Sequence, residues 1–178
     1  TNTDMRKMFQ IVLGLSAPED RDRWNIATVI PPGVVMDRSA EEVWGHANSA
    51  LAAATEEGIE VTTIEEVPVL GDDAVDAYNV IGSSEAWDVH RSWISTYGEL
   101  YDPVVRALIE RGAHWSDARK EDAEGVRGEV RSIAGTLFEA YDVIILPTTV
   151  MATPTFEEAD GTFRTQILRL NTLGSLAG

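Results

Sequence analysis

The sequence has no cysteine, only two lysines, Lys7 and Lys120, and only three histidines among its 178 residues. Without cysteine there is no disulfide, no thiolate metal site and no cysteine nucleophile. The histidines, His46, His90 and His114, lie far apart. None has a second histidine or a carboxylate four residues on, so no metal site is expected. The acidic run Glu19-Asp20-Arg21-Asp22 lacks the spacing and the glycine of a calcium loop. No GxxxxGK[ST] and no GxGxxG after a strand is present, so nucleotide binding is not expected, nor any other cofactor. No apolar run approaches the roughly 20 residues of a membrane span, and no signal-peptide pattern opens the chain. Positive charge is scarce: 30 acidic residues face 14 basic ones, a formal net charge of −16. A field of that sign repels nucleic acid and anionic membranes, so neither is an expected partner. It is read as solubility, with recruitment of a basic partner as the sharper alternative. A cytoplasmic location fits the absence of cysteine.

What remains is globular composition, 44% hydrophobic and 25% charged, with one domain as the prior. The chain opens on Thr1 and runs almost directly into a helical pattern, which is read as a fragment or a processed chain. TNTDMRKMFQIVLG has Met5, Met8, Phe9, Val12 and Leu13 on one helical face, with Gly14 as a stop. Residues 26–30 read as a strand ended by Pro31-Pro32. Ser39 reads as the N-cap of a helix that Gly58 stops. Residues 59–69 read as a second strand. Residues 74–96 read as a long helix with Tyr78, Ile81, Val89 and Trp93 near one face. Pro103 opens a short helix ending at Gly112. In residues 116–141, Ala123, Val126, Val130, Ile133 and Leu137 recur at spacings of 3 and 4, a single buried stripe. DVIILP is a third strand, and residues 162–178 are helical at first and less regular toward the end. Strands alternating with long helices indicate an α/β layered fold with a mostly parallel or mixed sheet. Three strands are few for this many helices, so part of the sheet is expected in chain outside this sequence.

The residues alone show no catalytic machinery. Gly82-Ser83-Ser84 sits mid-helix, where no sharp turn presents a hydroxyl, and small residues there allow close packing. Gly174-Ser175 places its serine one position early for a GxSxG elbow. Asp88, His90 and Ser92 are neighbours in sequence, whereas triad members come from separate elements.

Several stretches together resemble one family. AYNVIGSSEAWDVHRSW (77–93), YDPVVRALIERGA (101–113), AEGVR (123–127), LFEAYDVIILPTTVMATPTF (137–156) and LNTLGSLAG (170–178) resemble the C-terminal half of amidase-signature enzymes. That family includes the A subunit of the glutamyl-tRNA amidotransferase. Its Ala-x-x-x-Arg element is matched by Ala123 and Arg127. Its Tyr-Asp, apolar, Pro-Thr-Thr segment is matched by Tyr141-Asp142 and Pro147-Thr148-Thr149. The opening residues resemble the family's helix after the nucleophile region. This chain departs from the pattern at Val150, where the family has proline, at Lys120, where it commonly has tyrosine, and at Gly174-Ser175.

The resemblance implies a layered mixed sheet covered by helices. It also implies that residues 1–178 form a single partial domain lacking the N-terminal catalytic half and the final strand. The implied activity is hydrolysis of carbon–nitrogen amide bonds by a Ser-Ser-Lys mechanism, with all three residues upstream of Thr1. The chain alone is then inactive, because acyl transfer has no first step without its nucleophile and base. A free-standing, non-catalytic amidase-like binding module is the alternative. The implied partners are a small-molecule amide and the missing half. Uncovered sheet edges and helix faces make a homodimer conceivable.

The hydroxyl-rich loop PTTVMATPT leaves the carboxyl end of a strand, where α/β sheets bind ligands. Thr148 and Thr149 are therefore the first substrate-binding candidates, ahead of Thr153 and Thr155. The same hydroxyls can instead cap loop backbone. Trp87 and Arg91, with Glu85, are candidates for the pocket wall, Arg91 as a partner for a substrate carboxylate. Core packing for Trp87 and surface ion pairing for Arg91 compete with that reading.

Overall fold

The computed structural model describes residues 23–54, 58–155, 157 and 159–178. The helix expected over TNTDMRKMFQIVLG lies outside them.

The strand-forming run WNIATV gives β1, Trp24–Val29. It is followed by α1 (Arg38–Ala53), β2 (Ile59–Ile64), α2 (Asp72–Tyr97), α3 (Pro103–Glu110), α4 (Asp117–Ala140), β3 (Val143–Ile145) and α5 (Gly161–Ala177). The three strands form one sheet in the order β2-β1-β3. Both pairings are parallel, with Thr28 opposite Thr63 on one side and Ile145 on the other. The expectation left room for a mixed sheet; every pair among the described strands is parallel.

β1 is the central strand, and Ile26, Ala27, Thr28 and Val29 are all buried. Four consecutive buried residues mean that both faces of the strand are covered. The chain leaves β1 toward β2 through α1, then crosses back to β3 on the other side through α2, α3 and α4. Right-handed crossovers in opposite directions put α1 and the later helices on opposite faces. The two faces are unequal. Val29, with Ile144 and Leu146 packed nearby, joins a core built by Leu70, Ala74, Val80, Val130 and Leu173. On the other face α1 has no buried residue at all.

The α4 stripe is as expected at its centre: Ala123 and Val130 are buried, and Val126 and Ile133 pack against the core. The long helix differs. α2 buries Ala74, Val75, Ala77, Val80, Ile81 and Ile94, whereas Val89 and Trp93 are 60% and 53% exposed. Its first half is sandwiched against α4 and α5, and small alanines carry much of that contact. β2 stops at Ile64 rather than running to residue 69, because Pro68 begins a 3-10 turn through Leu70. α5 stays helical to Ala177, more regular than its sequence suggests.

The α1 cap is Asp37, not Ser39: the Ala40 N–H donates to Asp37 Oδ1 at 2.7 Å. The Asp37 backbone N–H is itself held by the Val150 carbonyl at 2.8 Å, a tertiary bond that fixes where the helix begins. Gly58, at φ 84°, stands just before β2 rather than at the helix end.

Of the Gly82-Ser83-Ser84 cluster, Ser83 is the packing residue, while Gly82 faces open space. Ser83 Oγ donates to the Asn79 carbonyl and Ser84 Oγ to the Val80 carbonyl. Trp115 Nε1 donates to Ser83 Oγ at 2.8 Å. Opposite them, Gly112 lies so close that a Cβ there would stand 2.0 Å from the Ser83 carbonyl oxygen.

Candidate functional site

The strand order creates a place for a ligand. At the carboxyl ends of β1 and β3 the two following segments diverge, one toward β2 and one toward α5. Such switch points leave a crevice between adjacent strands.

The segment after β1 turns at Pro31-Pro32-Gly33. Gly33 has φ 75°, the left-handed region that favours glycine. Arg169 on α5 secures the turn: its Nη1 donates to the Gly33 carbonyl at 2.9 Å, and its Nη2 pairs with Asp72 at the start of α2. The Arg169 side chain is only 14% exposed. Further along, the Val35 N–H donates to Gln166 Oε1 at 2.9 Å. One face of α5 therefore holds the whole turn in place.

The segment after β3 is anchored by its apolar residues. Pro147 and Val150 are buried, and Thr148 and Thr149 between them are exposed. Val150 stands where the resemblance expects proline, and its carbonyl is the acceptor for Asp37. This bond joins the two segments and divides the crevice.

On one side is a cleft of about 350 Å³ between α1 and the β3 segment, lined by Val43, Trp44, Ala47, Ile145, Thr148 and Thr149 among others. On the other is an open hollow of about 650 Å³ involving Met36, Met151, Phe163 and Gln166. The first is mostly apolar with two hydroxyls at its rim. Such a surface can hold the apolar part of a small molecule and hydrogen-bond a carbonyl or amide.

The two threonines differ. Thr149 Oγ1 donates to the Met151 carbonyl at 2.8 Å, so it folds its own loop. Thr148 lines the same cleft, and its hydroxyl has no protein partner among the described residues. Trp87 and Arg91 do not line this cleft. Trp87 packs where the α2 backbone meets Gly112, and Arg91 is exposed on α2. Glu85 accepts from Arg127 Nη1 at 3.3 Å, and Arg127 also pairs with Glu124 at 2.6 Å. The arginine of the Ala-x-x-x-Arg element therefore ties α4 to α2.

Sequence reasoning missed Trp44, Val43 and Met151 as cleft residues, and Arg169 and Gln166 as supports. For Val43 and Trp44 the signal was two adjacent large apolar residues in the polar first half of the helix; Met151 had none. The supports had no local signal, since their partners lie more than 90 residues away. Among the described residues no group of three potential ligands could hold a metal ion, and no helix is long and apolar enough to cross a membrane.

No protein-family model and no curated protein matches the sequence. Solved structures do. The chain is similar to an amidase crystal structure, with a TM-score of 0.78 and 20% identity over 99% of this chain and 41% of that one. It is also similar to the S177A variant of Kluyveromyces lactis allophanate hydrolase, with a TM-score of 0.71 and 16% identity over 89% of this chain and 26% of that one. At such identities the likeness is one of fold. The chain has an α/β fold shared with part of an amidase, in agreement with the amidase-signature resemblance of its sequence. It spans less than half the length of either structure.

Proposed function

We propose that this chain is the C-terminal portion of an amide hydrolase, and that it forms one wall of the substrate pocket. The observation that carries this reading is the cleft at the β1–β3 switch point, rimmed by Thr148 and Thr149, on a fold shared with part of an amidase. The proposed chemistry is serine acyl transfer. A serine activated through a second serine and a lysine attacks the amide carbonyl, the carbon–nitrogen bond breaks, the amine leaves with a proton, and water then hydrolyses the acyl ester. Another segment of the complete protein supplies those groups. This chain's part is to hold the amide: Thr148 offers its hydroxyl to the substrate, Thr149 shapes the loop, and the apolar face of α1 covers the acyl group. Trp87 and Arg91 contribute to the wall only if a longer substrate extends beyond the cleft to α2.

The isolated chain is expected to show no turnover of a simple amide such as benzamide. The complete protein carrying the serine segment is expected to release ammonia from it. Turnover that co-elutes with the isolated chain through successive purification steps overturns the division of labour.

In the complete enzyme, Thr148→Val is expected to raise KM about fivefold with kcat little changed, because it removes a binding contact of neutral hydrogen-bond strength. Thr149→Val is expected to affect stability by about 1 kcal/mol through its loop bond. Equal, negligible effects of both on KM remove Thr148 from the pocket.

The specific reason to keep a non-catalytic amide-binding role in view is that the cleft presents hydroxyls and apolar groups with no nucleophile–base pair among the described residues. Ser83 and Ser84 are committed to helix carbonyls. Saturable benzamide binding by the complete protein without ammonia release decides for that role.

A further inference from the structure

A second cleft lies away from the switch point, between α2, α3 and the first turn of α5. It has a volume of about 200 Å³, and Tyr78, Gly82, Leu108, Ile109, Arg111 and Arg164 are among its lining residues. We infer that it is a binding site for a small carboxylate with an apolar body.

The charges point to an anion. The chain carries 30 acidic residues against 14 basic ones, so carboxylate partners are abundant. Arg38, Arg106, Arg119, Arg127 and Arg169 are each paired with one. Four described arginines, Arg23, Arg91, Arg111 and Arg164, make no ion pair or hydrogen bond among the described residues; all four are exposed, and of them Arg111 and Arg164 line this cleft. These two come from different elements, the 3-10 turn after α3 and the start of α5, so helix periodicity does not explain their sharing one cleft. A guanidinium matches a carboxylate in a two-pronged geometry. The net charge of −16 repels anions at a distance, so two local cations are what an anion site here requires.

The remaining lining selects an apolar body. Leu108 and Ile109 form one wall and the ring of Tyr78 another. Gly82 leaves its side of the cleft open: a Cβ built there meets nothing within 4 Å, as at several other helix glycines. A glycine in a helix interior costs stability relative to alanine, and here it does not relieve a close contact, unlike Gly112. The volume is below that of drug-sized pockets, which suits a ligand of about ten non-hydrogen atoms.

Titration calorimetry of the full-length protein with sodium phenylacetate tests the inference, with phenylacetamide as the same shape without the charge. The expected result is saturable binding of the acid and at least about tenfold weaker binding of the amide. Arg111→Gln and Arg164→Gln each weaken the acid about three- to tenfold. Gly82→Leu abolishes binding and leaves the melting temperature unchanged or raised, since it fills open space and improves helix propensity. If the leucine variant does not fold, Gly82→Ala places one methyl group in the same space and weakens binding about twofold. Equal affinity for acid and amide, acetate binding as tightly as phenylacetate, or full binding by a folded Gly82→Leu overturns the inference. So does the absence of saturation at tens of millimolar. Both titrations are made after phenylmethylsulfonyl fluoride has blocked any nucleophilic serine, so that neither hydrolysis of the amide nor occupancy of the switch-point cleft enters the readout.

Discussion

Gly112→Ala will lower the melting temperature by about 10 °C, the consequence of an overpacking cost of about 3 kcal/mol in a chain of this size. The added methyl would stand 2.0 Å from the Ser83 carbonyl oxygen, 2.5 Å from its carbonyl carbon and 2.9 Å from Trp87 Cβ. Two of the three atoms are backbone in the middle of α2 and have no rotamer to escape into. The 3-10 turn at Arg111–His114 must move away instead, and with it goes the hydrogen bond from Trp115 to Ser83. Gly125→Ala on α4 is the control. Nothing lies within 4 Å of its Cβ, and alanine is the better helix former, so the melting temperature should rise slightly. A Gly112→Ala protein that melts with the wild type would mean that α2 and the turn are not in contact.

Leu70→Ala will cost about 3 kcal/mol, the middle of the range for a buried leucine cut back to alanine. Leu70 is fully buried at the end of the 3-10 turn between β2 and α2. It joins a core to which the sheet, α2, α4 and α5 all contribute, so the hole it leaves is bounded by several elements that cannot close together. In a urea titration the midpoint should fall by about 1–2 M with an unchanged slope. Val43→Ala also cuts an apolar side chain back to alanine, but on α1, where the residue is 66% exposed, and should leave the midpoint where it was. Equal effects of the two substitutions would show that Leu70 is not part of the core.

These two residues show what the sequence could and could not disclose. β1 was legible because Pro31-Pro32 ends it, and α4 because its apolar residues recur at one helical spacing. The apolar face of α2 was not. Alanines at 74 and 77 carry its packing, and they give no strong hydrophobic signal, while Val89 and Trp93 do and are exposed. Residues 65–69 read as the end of a strand, with Leu70 just beyond it, since nothing local announces that Pro68 turns the chain into the core. Asp37 and Ser39 are both good caps, and a bond from a loop 113 residues later in the chain chooses between them. At the candidate site, Pro-Thr-Thr after a strand was readable as a loop at a ligand-binding edge. Its opposite wall, α1, became visible only when the chain closed the β1–β2 crossover.

The cleft at the switch point has one hard wall and one soft wall. The β3 segment is set by buried Pro147 and Val150. α1 buries no residue. It is tethered at its Asp37 cap, through the bond to the Val150 carbonyl, while its exposed Arg38–Glu42 pair lies within the helix and ties it to nothing else. Elements with little buried contact open before the rest of the fold does, so α1 loosens while the loop stays in place. A ligand entering between them must still the soft wall, and that ordering cost is subtracted from its affinity. The loop therefore decides which shapes fit, and the helix decides how long they stay.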